Sequence, residues 1–217
     1  MSSIDYHLEE LEIAINSERK EHILPEILQN YHVILDIGCG IGQSFIALNC
    51  LDRKCIGIDI DEEAISYGIS NYGDKIDYRV SDSLTLPCQD DSVDFVFSRA
   101  AIPYTNIPKV LLEIKRVLKP NGHIWLSIFD KNYSKRKLRQ AIKNKNIKEA
   151  IHKLYILFNG YLFKYFGFLI PFINGTYESW QDPDAMLKIL SKNGFEAETQ
   201  LQNGHLIILG KLQDGAD

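Results

Sequence analysis

Ile4, Leu8, Leu11 and Ile15 stand three or four residues apart, the spacing that gathers apolar side chains on one side of a helix. The run from about 4 to 28 therefore reads as an amphipathic helical lead-in, broken before Pro25 and expected to cover one flank of a sheet. Val33 to Ile37 is a short apolar run closed by glycines, and helical periodicity returns from Gln43 to Cys50. The alternation then repeats. Strands are expected over Cys55–Asp59, Ile76–Val80, Val93–Ser98 and Ile124–Phe129, with helices over Glu62–Tyr72 and Ile107–Leu118. Val110, Leu111, Ile114, Val117 and Leu118 give the second of these helices one apolar face, and Lys119-Pro120-Asn121-Gly122 is expected to stop it. Such alternation implies right-handed crossovers and a mostly parallel sheet.

The end of the chain follows another pattern. Asp182 and Pro183 suit the cap and first turn of a helix that stops at Gly194. Phe195–Leu201 and His205–Leu212 flank Asn203-Gly204, a strong hairpin signal, so the parallel sheet should finish in an antiparallel hairpin. The fold expected is α/β with helices on both faces, one domain over residues 1–217 whose first 30 form the lead-in. Residues 131–179 fit neither pattern and read as an insertion between the fifth strand and the last helix. Its first half is basic; from Leu154 to Ile173 it is almost wholly apolar and rich in aromatics.

With 45% hydrophobic and 24% charged residues, the chain can bury one substantial core, and nothing marks it as disordered or fibrous. The net charge of −5 hides an asymmetry. Lys131 to Lys153 holds nine Lys or Arg against one acid, Glu149, so that segment is about +8 and the remainder about −13. This points to an anionic partner or to a solvated helix face. The start, Met1-Ser2-Ser3-Ile4-Asp5, lacks the basic residues and apolar run of a secretory signal, which favours the cytoplasm. Cys39, Cys50, Cys55 and Cys88 form no CxxC pair and the six histidines are scattered, so no metal site and no catalytic histidine is expected.

Between the first strand and the helix after it, Val33-Ile-Leu-Asp-Ile-Gly-Cys-Gly-Ile-Gly42 sets three glycines at alternate positions, where backbone can closely approach a small ligand. A dinucleotide fingerprint would carry its third glycine one residue later, where Gln43 stands, and no Gly-Lys-Ser/Thr follows as in a P-loop. Nicotinamide or flavin binding is thereby disfavoured.

These residues resemble the class I S-adenosylmethionine-dependent methyltransferases, in particular their small-molecule branch. Asp36-Ile-Gly-Cys-Gly-Ile-Gly42 is similar to that family's first motif, Gly57-Ile-Asp-Ile-Asp61 to its second and Val80-Ser-Asp-Ser-Leu-Thr-Leu-Pro87 to its third. Asp91 to Ser98 resembles its fourth strand, and Leu112 to Gly122 its helix and turn before the fifth. The resemblance spans about residues 30 to 130 and implies the strand order 3-2-1-4-5-7-6 with S-adenosylmethionine as cofactor. It implies that Asp59 takes the ribose hydroxyls, since one acceptor-only carboxylate suits two vicinal donors, and that Asp82 and the Ser83 amide face the adenine. Asp36, Gly38, Cys39, Gly40, Gly42, Ile60 and Ser98 complete the implied cofactor set.

Methyl transfer from a sulfonium is a direct displacement, so the protein mainly aligns the acceptor and excludes water, and no catalytic acid or base is assigned. Tyr104, Tyr161 and Phe166 are the substrate candidates. Ala101-Ile-Pro-Tyr104 shares only its last two residues with the signature of nucleic-acid amino-methyltransferases, which sets a nucleic-acid substrate aside. The expected acceptor is a small, apolar or lipophilic molecule. The insertion is expected to act as a lid over it, or, through residues 131–173, as a peripheral contact with a membrane surface. A non-catalytic scaffold that keeps the cofactor fold, an aminopropyl transferase and a nicotinamide-linked oxidoreductase are the alternatives.

Overall fold

The computed structural model describes residues 2–215. Seven strands, β1 (Val33–Ile37), β2 (Lys54–Asp59), β3 (Ile76–Val80), β4 (Val93–Ser98), β5 (Leu118–Ile128), β6 (Phe195–Gln202) and β7 (His205–Leu212), form one sheet in the order β3-β2-β1-β4-β5-β7-β6. β1 to β5 pair in parallel, and β7 runs antiparallel to both β5 and β6. The order and the closing hairpin are those expected. Asn203 and Gly204 take φ of 50° and 80°, the left-handed conformation that a two-residue turn needs to match strand twist.

Among the described residues, seven α-helices surround the sheet: α1 (Ser3–Ile15), α2 (Gln43–Leu48), α3 (Glu62–Tyr72), α4 (Ile107–Val117), α5 (Lys131–Lys143), α6 (Ile147–Phe166) and α7 (Pro183–Lys192). Side chains that satisfy the free amides of a first turn mark several starts. Ser2 Oγ accepts from the Asp5 amide at 3.1 Å while the Asp5 carboxylate accepts from the Ser2 amide at 3.0 Å. Asp61, Asp130 and Asp182 cap α3, α5 and α7 by accepting first-turn amides, without the reciprocal bond.

Because successive strand residues face opposite sides, β1 feeds two apolar layers. Ile34 joins Phe45, Ile65, Phe95, Phe97 and Trp125 on one face. Leu35 joins Val96, Leu111, Ile114, Leu126 and Met186 on the other. Each fully buried aromatic or branched side chain here contributes about 1.5–3 kcal/mol.

Two expectations need correction. The lead-in is helical only to Ile15; Asn16 then turns the chain by accepting the Glu18 amide at 3.0 Å, an alternative to continuing the helix. α1 packs beside α2 and α3, while the chain after it covers a face of the sheet, with Ile23 and Tyr31 buried in the layer of Phe95, Phe97 and Trp125. Lys119 to Gly122 do not separate helix from strand either. β5 begins at Leu118, opposite Val93, and the ladder slips before Phe95 meets His123, with Asn121 at φ 63° absorbing the extra residues as a bulge. The insertion, unassigned from sequence, is mostly helical, folding as α5 and α6.

Candidate cofactor site

The carboxyl ends of β1, β2 and β4 converge on one edge of the sheet, where open α/β folds bind ligands. The amides of Gly38 and Cys39 both donate to the Ile58 carbonyl, at 2.8 and 2.9 Å, which anchors the glycine turn on β2. Gly38 has φ +79°, and a Cβ there would collide with the Ala101 side chain, so glycine keeps the backbone bare at the cleft. The Gly40 amide donates to one oxygen of Asp59 at 2.8 Å and the Asp61 amide to the other at 3.0 Å. Two backbone donors thus orient the Asp59 carboxylate and leave its remaining lone pairs to the cleft.

That cleft encloses about 330 Å³. Gly38, Ile58, Asp59 and Ile60 form one wall; Ser81 and Ser83, beyond β3, form the next. The segment after β4 supplies Arg99, Ala100, Ala101 and Tyr104. Ala100 holds φ +67°, and its amide donates to Ser127 Oγ at 3.1 Å, so β5 fixes an otherwise unfavourable backbone. From above, α1 closes the cleft with Tyr6, His7 and Glu10.

Side chains pin α1 in place. Glu10 pairs with Arg99 at 2.9 Å, and the Arg99 side chain is only 6% exposed. Ser3 Oγ donates to Asp61, and His7 Nε2 lies 3.6 Å from the same carboxylate. Burial works against the Asp61 charge, but Ser3, the Ala64 and Glu63 amides and His7 together hold its carboxyl below the ordinary aspartate value. The His7 ring sits where a Cβ on Gly40 would fall.

Behind the turn Asp36 is wholly buried. Among the described residues neither of its oxygens has a hydrogen-bond partner, and neither does His7 Nδ1. Burial pushes the Asp36 carboxyl well above its usual range, against the pull of Arg99. Buried polar groups are normally paired; of these two residues His7 lines the cleft, whereas Asp36 lies behind the turn and outside its lining.

The sequence-derived positions divide. Gly38, Asp59, Ile60, Ser83 and Tyr104 line the cleft, and Gly40 orients Asp59. Asp82 is exposed and accepts the Leu84 amide at 2.7 Å. Ser98 is buried, its hydroxyl donating to the Ile37 carbonyl at 2.8 Å and tying β4 to β1. Cys39 packs beneath Gly57, and Gly42 backs onto Tyr78, whose hydroxyl donates to the Ile41 carbonyl at 2.7 Å. These three therefore shape the turn from below. Tyr161 meets the Trp180 edge and Phe166 is largely exposed; no residue of 131–179 lines the cleft. Sequence reasoning missed Tyr6, His7, Glu10 and Arg99. The first three share the polar side of α1, a pattern that the apolar count alone passes over.

Tyr104 stands at the mouth, edge-on to Phe129, which in turn meets Tyr133 at the start of α5. Burial, helped by Glu178, holds the Tyr104 phenol above its ordinary value. A larger groove of about 870 Å³ runs over β5, β6 and β7 beneath residues 24–31. It includes none of the glycine turn or Asp59 and lies away from the carboxyl edge of β1 and β2.

Residues 35–126 match the family model described as "Methyltransferase domain". An uncharacterized methyltransferase of Bacillus subtilis, YcgJ, is 32% identical over 100 residues, 44% of this chain and 40% of that protein. A malonyl-[acyl-carrier protein] O-methyltransferase of Marinomonas is 32% identical over 141 residues, 63% of this chain and 51% of that protein. The matched stretches thus span about half or less of these relatives' own length. The solved structure of the Bacillus YcgJ protein superposes with a TM-score of 0.61 over 96% of this chain and 100% of that one, at 15% identity, a likeness of fold.

Proposed function

We propose, starting from the class I S-adenosylmethionine-dependent methyltransferase domain across residues 35–126, that this chain transfers a methyl group to a small, apolar acceptor. The observation that carries the reading is the junction of β1 and β2, where the Gly40 amide holds the Asp59 carboxylate at 2.8 Å beside a bare glycine turn. Asp59 would take the ribose hydroxyls and the wall at Ile60 and Ser83 the adenine. Gly38 lies on the side left for the charged amino-acid end, with Asp36 buried behind the turn. When bound, the cofactor supplies an electrophilic methyl on a sulfonium.

The chain's own residues orient and enclose. Glu10 is paired to Arg99, so His7, whose Nδ1 has no partner among the described residues, is the cleft's one candidate base for an acceptor that must lose a proton. Tyr104 gives the cleft mouth an aromatic edge, backed outside the cleft by Phe129 and Tyr133, that suits an apolar body. The Marinomonas relative's name points to an oxygen acceptor carried on a protein, and an acyl chain would suit the same edge. Nothing in the site calls for nucleic acid.

The test supplies methyl-labelled cofactor with a panel of isoprenoid, acyl and aromatic acceptors. Label transferred to an apolar acceptor, and lost with Asp59→Ala, is the expected result. Cofactor binding without transfer to any acceptor would favour a scaffold instead.

A further inference from the structure

We propose that the outer face of α6, with the basic α5 beside it, docks on a lipid bilayer that carries anionic headgroups. On a 20-residue helix, Ile147, Ile151, Leu154, Phe158 and Tyr165 recur at three-, four- and seven-residue spacing and so share one face. Every one of them is more than half exposed. The opposite side carries the buried Ile156, Asn159, Gly160 and Phe163, with Gly160 flush against the Trp180 indole. Polar Asn159 points inward, donating to the Glu178 carbonyl at 3.1 Å and accepting the Ile170 amide at 2.9 Å. A helix that keeps an asparagine inside and shows solvent an apolar stripe is built for a second apolar phase.

Charge identifies that phase. Lys153 and Lys164 have carboxylate partners, Glu178 and Asp182, at 3.8 and 2.7 Å. Among the described residues, Lys143, Lys145 and Lys148, at the amino end of the stripe, have none, nor do Lys135, Arg136 and Arg139 on α5. The one acid of the segment, Glu149, is taken up at the α6 cap by Asn146. Apolar side chains and unpaired cations in one region match a membrane surface whose headgroups are negative and whose acyl layer lies just beneath. A second copy docking face to face would bring two such sets of cations together. No described helix is long and apolar enough to cross a membrane, so α6, about 30 Å long, would lie in the plane of the interface. Tyr133, at the start of α5, joins this surface to the aromatic edge of the cleft mouth.

This inference stands apart from the methyl-transfer reading and is tested without it. The full chain is floated with vesicles of equimolar phosphatidylglycerol and phosphatidylcholine, and with phosphatidylcholine alone. Association with the anionic vesicles only, weakened by salt, is expected. It should fall at least tenfold in Phe158→Asp and in the triple variant Lys143→Glu/Lys145→Glu/Lys148→Glu. Both variants should keep the wild-type melting temperature and far-ultraviolet circular dichroism, which separates loss of docking from loss of fold. Equal partition into both vesicles, or no partition, overturns the proposal. So does a dimer in solution that Phe158→Asp dissolves while vesicles bind neither form.

Discussion

Glu10 and Arg99 meet at 2.9 Å, joining the amino-terminal helix to the segment that follows β4 across the roof of the cofactor cleft. The pair is unequal, the Arg99 side chain 6% exposed and Glu10 26%. Removing the better-solvated partner strands the buried one. Glu10→Ala should therefore cost more stability than Arg99→Ala, about 1–3 kcal/mol in urea unfolding, because the buried guanidinium loses its carboxylate and keeps only the Glu10 carbonyl at 3.3 Å. Both should weaken cofactor binding. Equal stability with unchanged affinity would mean that α1 does not close the site.

Asp36 sets a pH dependence. Its folded pKa lies above the unfolded value of about 3.9, so the folded state holds a proton that the unfolded state releases. The ligand-free protein should gain stability from this group as pH falls from above the folded pKa towards about 4, and no more below that. Asp36→Asn should raise the melting temperature at neutral pH, with an advantage that shrinks on acidification. It should also bind cofactor more weakly. Parallel melts of both forms between about pH 5 and 8 measure the slope.

Much of this was legible from residues 33 to 128, because each strand there is a short apolar run with its own punctuation and each helix has one apolar face. Gly38 declared itself through the spacing of the glycines, and Asp59 through the resemblance of Gly57-Ile-Asp-Ile-Asp61 to the family's second motif. Ser98 and Gly42 did not reveal that their partners are Ile37 and Tyr78, since strand edges and turn backs are built by pairing between distant segments. The roof was illegible for a related reason. His7 and Glu10 acquire meaning only when α1 folds back over Gly40 and Arg99. The insertion concealed its helices because α6 turns its apolar stripe outward, so hydrophobicity there does not report burial.

Gly38→Ala should spare the fold more than the site. A methyl group at φ +79° is strained by about 1–2 kcal/mol and would press on Ala101 at the cleft wall. Cofactor affinity should fall at least tenfold, measured by calorimetry, while the protein remains folded by circular dichroism.

Gly160→Ala should do the reverse. Its methyl group would strike the Trp180 indole, whose Nε1 donates to the Leu157 carbonyl at 3.0 Å. Overpacking of this kind costs about 1–3 kcal/mol. Thermal unfolding should register the loss, and cofactor affinity should not, because residues 131–179 do not line the cleft.

Calorimetric titration with S-adenosylmethionine, on the wild type and on Asp59→Ala, tests the central claim most directly. Micromolar binding, worth about −8 kcal/mol, that collapses in the variant is the predicted result. Absence of binding by the wild type, or undiminished binding by Asp59→Ala, would contradict it.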